Sequence, residues 1–336
     1  MRTRTSRLDR PARRGLSLAV AAALSYAILL YATLASAQEF PGGRPIIIYA
    51  PFPPGGTSDA IIRIISNKVM ENTGWKIVVE TRVGAGGVVA AVAAKRAAAD
   101  GYTLLLNNMG THGVYSAAYS NLPFDPVRDF EPVSQLFTIP QVLIINANSP
   151  VQTVADLVKL AKDNPGKLNL ATQGVASGSH LLGEMLKQQT GISFAMIHYT
   201  GGGPGMLDLI AGRVDFFFNA VAEAKANLGK VRVVANAGAT RSVLFPDVPT
   251  MIEAGYPGIE FLFWAGLVAP ASTPKPIIKR LSEEYVKAAR DPAVVKRLND
   301  LGSEVIANSP EEFAVAIVKE IEHFRPIVKG AGIKLD

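Results

Sequence analysis

Cysteine is absent from the 336-residue chain, and that absence excludes several chemistries at once. No disulfide framework can replace a hydrophobic core, no thiolate can act as a nucleophile, and no N-terminal cysteine can carry a lipid. Other catalytic equipment is equally scarce. Only four histidines occur, no serine sits in a G-x-S-x-G elbow, and no P-loop lysine follows a glycine run. His180 and Glu184 have helical i, i+4 spacing but no H-E-x-x-H pattern and no third ligand nearby, so a zinc site is not expected. His112 follows a strand and is a candidate for lining a cleft, whereas His198 and His323 read as structural or surface residues. The run Gly84-Ala85-Gly86-Gly87-Val88-Val89 carries half of a dinucleotide fingerprint, with Val89 where the third glycine belongs. A protein without cofactor or metal, and without enzymatic activity, is the expectation.

The chain opens with a leader-like segment. Residues 1–14 hold six arginines against one acid, Asp9, and an apolar run over 16–34 ends in Ala35-Ser36-Ala37. This is the order of a cleaved secretory signal over 1–37. A run of this length could also anchor the chain in a bilayer, but the small-residue ending followed by Gln38-Glu39-Phe40-Pro41 fits cleavage better. Arg13-Arg14 raises a twin-arginine route, although the surrounding residues suit the general secretory route. Removing the leader's six arginines and one aspartate from 34 basic and 28 acidic residues leaves 28 and 27, a net charge of +1. The basic character therefore belongs to the leader, and neither nucleic acid nor an anionic membrane is an expected partner. Export with no lipid anchor points to a protein that diffuses in the periplasm.

The remaining length suggests two domains, and strands alternate with helices. Strands are predicted over 45–50, 76–80, 102–106, 141–145, 168–172 and 214–218. Helices are predicted over 59–71, from the glycines at 84–87 to Ala99, over 153–164, and from the 174–179 turn to Gln189. Pro204, Pro274 and Pro292 are each placed at a first helical position. Ser309-Pro310-Glu311-Glu312 reads as a capping box, and Phe313, Ile317, Ile321 and Phe324 follow at helical spacing. Such alternation predicts a largely parallel sheet with helices on both faces.

Three glycine-rich turns, at 53–58, 84–87 and 174–179, lie between a strand and a helix. Their N–H groups sit at the positive end of a helix dipole and can hold an anion. Each turn can equally be a plain helix start, with Ser58 and Ser179 as N-caps; on the residues alone both readings stand. Asp59 in a first helical turn favours the dipole and would repel an anionic ligand, so it is assigned a structural role. Phe52 and Trp264 flank polar turns and are candidates for either core or pocket wall.

An ordered set of motifs then resembles the periplasmic binding proteins of tripartite tricarboxylate transporters, the Bug family. The set comprises PFPPGGTSD (51–59), VGAGG (83–87), ADGYTLL (99–105), GTH (110–112), LPFDPVRDFEPVS (122–134), GSHLLGEMLKQQTGI (178–192), DLIAGRVD (208–215), FPDVPTMIEAGYPGIE (245–260) and WAGLVAPASTP (264–274). The resemblance implies an α/β type II periplasmic binding protein fold: two α/β lobes, 38–137 plus 262–336 and 138–261, with a ligand cleft between them. It implies a monomeric receptor that captures a small carboxylate and delivers it to integral-membrane transporter subunits. A sensing module for a membrane kinase, or an enzyme acting on a carboxylated substrate, are the alternatives. Carried over from the family, the ligand-binding positions are Phe52, Pro54, Gly55, Gly56, Thr57 and Ser58 in the first loop, and Gly110, Thr111 and His112 after the third strand. In the second lobe they are Gln173, Gly174, Ser177, Ser179 and Asn219. The family's asparagine-arginine before GAGG appears here as Thr81-Arg82, and its tyrosine-lysine-glycine as Tyr199-Thr200-Gly201, which removes a lysine near the cleft.

Overall fold

Residues 40–335 are described in the computed structural model; the expected signal peptide over 1–37 lies outside them. Phe40–Gly43 form a turn belonging to a short N-terminal unit, and the body of the protein begins at Arg44. Within that body the first strands are β1 (Ile46–Ala50), β2 (Ile77–Thr81) and β3 (Thr103–Asn108), followed by the long β4 (Phe130–Asn146). Then come β5 (Asn169–Thr172), β6 (Ala195–His198), β7 (Phe216–Ala220), β8 (Val231–Asn236), β9 (Leu262–Pro270) and the short β10 (Glu304–Val305). They form one sheet in the order β2-β1-β3-β9-β4-β7-β5-β6, with β8 and β10 also pairing with β4.

The sheet is mixed, which corrects the largely parallel arrangement expected from alternation. β1 pairs in parallel with β2 and β3, and β5 with β6 and β7. The pairings of β4 with β7, β8, β9 and β10, and of β3 with β9, are antiparallel. β9 and the first half of β4 thus stitch two parallel groups together: residues 130–140 of β4 bond to β9, and Gln141 to Asn146 bond to β7 and β8. Register shifts beside Pro132 and Gln135 let the strand continue past a proline that would otherwise interrupt the ladder.

Helices pack on both faces, as expected. In the second group Val142, Ile144 and Phe217 meet α6 (Gly202–Ile210) and α7 (Val221–Ala226) through Leu209 and Val221. Leu143, Leu170 and Phe218 share the opposite core with α4 (Val154–Asp163) and α5 (Gly178–Thr190). The first group carries α1 (Thr57–Thr73), α2 (Val88–Lys95) and the short α3 (Tyr115–Ala118), and the C-terminal stretch supplies α8 (Lys275–Ala289), α9 (Pro292–Asp300) and α10 (Pro310–Gly330). In α10 the Ser309 hydroxyl accepts from the Glu312 N–H while Glu312 accepts from the Ser309 N–H, the predicted capping box. Phe313, Ile317, Ile321 and Phe324 are all buried along one face.

Five helices begin or end differently from the sequence reading. Gly56 is the N-cap of α1, not Ser58, and Ser177 is the N-cap of α5, not Ser179. Pro204 stands at the third position of α6 because Gly201 adopts the cap, and Pro274 is itself the N-cap of α8. The helix expected through Ala99 stops at Lys95 and begins as a 3-10 turn over Ala85–Gly87, since Gly84, Gly86 and Gly87 all have positive φ. Pro292 does open α9, capped by Asp291.

Candidate ligand-binding site

β1 and β3 of the first group and β5, β6 and β7 of the second run from opposite directions toward the middle of β4, where Phe137 and Gln141 pair with the two groups. The turns that leave β1, β5, β6 and β7 therefore face one another there. Between these turns lies a cavity of about 370 Å³. From the first group it is walled by Phe52, Pro53, Gly56, Thr57 and Ser58, with Phe263 of β9 edge-on to Phe52 at 6.2 Å between centroids. The floor is Ile139 and Gln141 of β4, and the second group contributes Gln173, Thr200, Gly201, Gly202, Ala220 and Glu223. A second cavity of about 310 Å³, bounded by Pro126, Lys275 and Pro310, touches none of the glycine-rich turns.

Two helices aim their N-termini at the main cavity. α1 starts from Gly56 and α6 from Gly201, and neither start has a side-chain cap bond. The first N–H groups of a helix have no intrahelical acceptor, and glycine at the cap leaves them open to a ligand. Asp59 faces away from this role: one carboxylate oxygen accepts from the Gly55 N–H at 3.0 Å and both meet the Arg63 guanidinium. Burial raises the Asp59 pKa, but Arg63 and the Gly55 N–H outweigh it and hold the carboxyl below its ordinary value.

A polar chain closes the far wall. The Gln173 amide donates to Asn219 Oδ1 at 2.6 Å, and Asn219 Nδ2 donates to Glu223 Oε2 at 2.7 Å. Asn219 is fully buried, with its Oδ1 also accepting from the Ala220 N–H. Gly202 permits this approach, because a Cβ there would lie 2.6 Å from Glu223 Oε2. Among the described residues lining the cavity, Glu223 is the sole charged side chain.

The residues taken from the family pattern fall in four places. Phe52, Gly56, Thr57, Ser58 and Gln173 line the cavity, and Asn219 supports it from behind. Pro54 and Gly55 are exposed at the tip of the first turn. Gly174, Ser177 and Ser179 belong to a turn that satisfies itself: Ser177 Oγ donates to the Gly174 carbonyl at 2.7 Å and caps α5, while Ser179 Oγ accepts from the Gln173 N–H at 2.8 Å. Gly110, Thr111 and His112 form a buried π-helical turn rather than a cavity wall. There Thr111 bonds back to Asn108, and His112 packs against Phe124 and Phe130. Burial lowers the His112 pKa to about 3, so its ring is neutral. Trp264 is buried edge-on to Phe313 and is core. Thr200, Gly201, Gly202 and Glu223 were missed; the triple glycine after β6 was the signal, since it is another strand-to-helix turn.

The model of tripartite tricarboxylate transporter family receptors matches residues 61–333. The chain belongs to this receptor family. A UPF0065 protein from the tcbD-tcbE intergenic region of Pseudomonas sp. (strain P51) is 36% identical over 312 residues, covering 92% of this chain and 93% of that one. BugT of Bordetella pertussis is 33% identical over 303 residues, 89% of this chain and 93% of its own. Among solved structures, an R. palustris protein with adipate aligns with a TM-score of 0.81 at 30% identity, covering 88% of this chain and 99% of that one. MatC from Rhodopseudomonas palustris, with bound malate, aligns with a TM-score of 0.76 at 32% identity over 86% of this chain and all of that one. The tricarboxylate-transporter receptor fold is the type II periplasmic binding fold, two α/β lobes with a ligand cleft between them, and its members are periplasmic solute-binding receptors.

Proposed function

We propose that this receptor captures a small carboxylate in the 370 Å³ cavity and delivers it to integral-membrane transporter subunits. One observation carries the reading: the glycine-capped N-termini of α1 and α6 reach one cavity from opposite groups of strands, and at α1 no side chain of the protein claims the open N–H groups. In this reading the lobes divide at about residues 137–138 and 261–262, and β4 and β9 are the segments that run from one lobe to the other. A ligand touching both lobes stabilises the closed form by its differential affinity for it, and closure is the signal the membrane subunits read.

The binding set is Phe52, Gly56, Thr57, Ser58 and Gln173, supported by Asn219 and joined by Gly201, Gly202 and Glu223. Similar proteins that hold adipate and malate support a carboxylate as the captured group. The reading is that of a solute-binding receptor, the character of the family, and it calls for no catalytic step. The receptor acts as a monomer in the periplasm after cleavage of its leader. Thermal-shift and calorimetric titration of the chain from Gln38 onward against a panel of organic acids tests the proposal. A bound acid raises the melting temperature by mass action; no response to any acid would overturn it.

A further inference from the structure

The cavity has an electrostatic asymmetry that a two-carboxylate ligand does not fit. At the α1 end the N–H groups after Gly56 are uncapped and no side-chain carboxylate stands in the cavity, because Asp59 is engaged by Arg63 and Gly55. At the α6 end the protein has already placed its own anion: Glu223 Oε2 lies so near Gly202 that a single methyl there would collide with it. Asn219 fixes that carboxylate from behind at 2.7 Å, and Gln173 in turn fixes Asn219. No lysine or arginine is among the described lining residues to offset it.

Resting on the carboxylate reading above, we propose that the ligand carries one carboxylate and, at its other end, a protonated amine. The carboxylate sits on the α1 N-terminus and the amine on Glu223. A second carboxylate at the α6 end would meet Glu223 at close range in a partly desolvated site, where like charges repel strongly. An ammonium there gains a charge-assisted hydrogen bond and neutralises the Glu223 carboxylate. Glu223 is thus the residue that sorts amino acids from diacids, working partly by rejection of the wrong ligand.

Matched pairs of equal methylene number test this by calorimetry: β-alanine against succinate, γ-aminobutyrate against glutarate, and δ-aminovalerate against adipate, together with the standard α-amino acids. The expected result is that the tightest wild-type ligand bears an amine. Glu223→Gln then weakens that ligand by about tenfold or more, as loss of a charged hydrogen bond requires, and narrows or reverses the gap to its diacid partner. Glu223→Asp, which keeps the charge, retains the amine preference, and circular dichroism of both variants reports the fold. If a diacid binds wild-type protein more tightly than every amine-bearing acid, the inference is overturned while the receptor reading stands. It is overturned in the same way if Glu223→Gln leaves the ranking unchanged. If no acid of either series binds, both fall.

Discussion

The turn after β1 and the turn after β5 look alike as sequences, each a polar glycine-rich run ahead of a helix, yet they end in opposite states. The first begins α1 from Gly56 with no side-chain cap and opens on the cavity. The second closes on itself, with Ser177 capping α5, Ser179 accepting the Gln173 N–H, and His180 Nδ1 accepting the Ala176 N–H at 2.9 Å. A glycine-rich turn is a binding element only when its own side chains leave the helix N–H groups unclaimed.

The most direct way to break that contrast is Gly56→Asp. Gly56 has φ −71 and ψ 162, the extended conformation of an ordinary N-cap, so an aspartate there would claim the N–H groups as Ser177 does. Affinity for the carboxylate is expected to fall about 100-fold, roughly 3 kcal/mol, with the melting temperature unchanged or raised. Unchanged affinity would place the ligand elsewhere.

Acid should separate the turns next. Burial first, then His198 and Lys187, lower the His180 pKa from 6.5 to about 4. Between those values the unfolded chain binds a proton that the folded protein does not. The stability that neutral His180 contributes is therefore complete above pH 6.5 and is lost as pH falls toward 4. About 2 kcal/mol is expected, after allowance for residual solvent. Following the His180 ring by NMR while melting the protein across this range checks it, and a ring that titrates near its ordinary value would refute it. In the first turn Asp59 keeps its carboxylate to lower pH, being held below 3.8.

A smaller effect is expected at the second open helix. Gly202→Ala forces Glu223 from its seat by the 2.6 Å approach, and ligand affinity should change by about tenfold, near 1.4 kcal/mol, without loss of fold. Smallest is Ser177→Ala, which uncaps the closed turn. It should cost about 1 kcal/mol of stability in denaturant melts and leave affinity within about twofold, the latter setting this turn apart from the first.

What the sequence disclosed follows from the range of each interaction. The α10 capping box and its apolar stripe depend on residues within a turn or two of one another, and both were legible. So was the structural role of Asp59, whose partners Gly55 and Arg63 are each four residues away. The first half of β4 and all of β9 escaped notice, because Pro132 and Pro140 argue against a strand and the partner that overrides them is remote in the chain. Glu223 escaped for a related reason. It sits in a short helix where a solvated face is the natural reading; Asn219 is only four residues away, but it is the meeting of β5, β6 and β7 that brings Glu223 to Gly202. The motif carried over from the family located the first loop, but it did not tell which serines were already engaged.

The stitching of the sheet by β9 has a consequence for the order in which the molecule can assemble. β3 gains its antiparallel neighbour only when Leu262–Pro270 arrives, after the entire second group of strands has been made. Until then β3 is an unprotected border with unpaired backbone groups, a template for association with other chains. Closing so long a loop is slow, so the nascent protein stays unfinished for most of its length, and a chain cut short before Leu262 would be left permanently prone to aggregate.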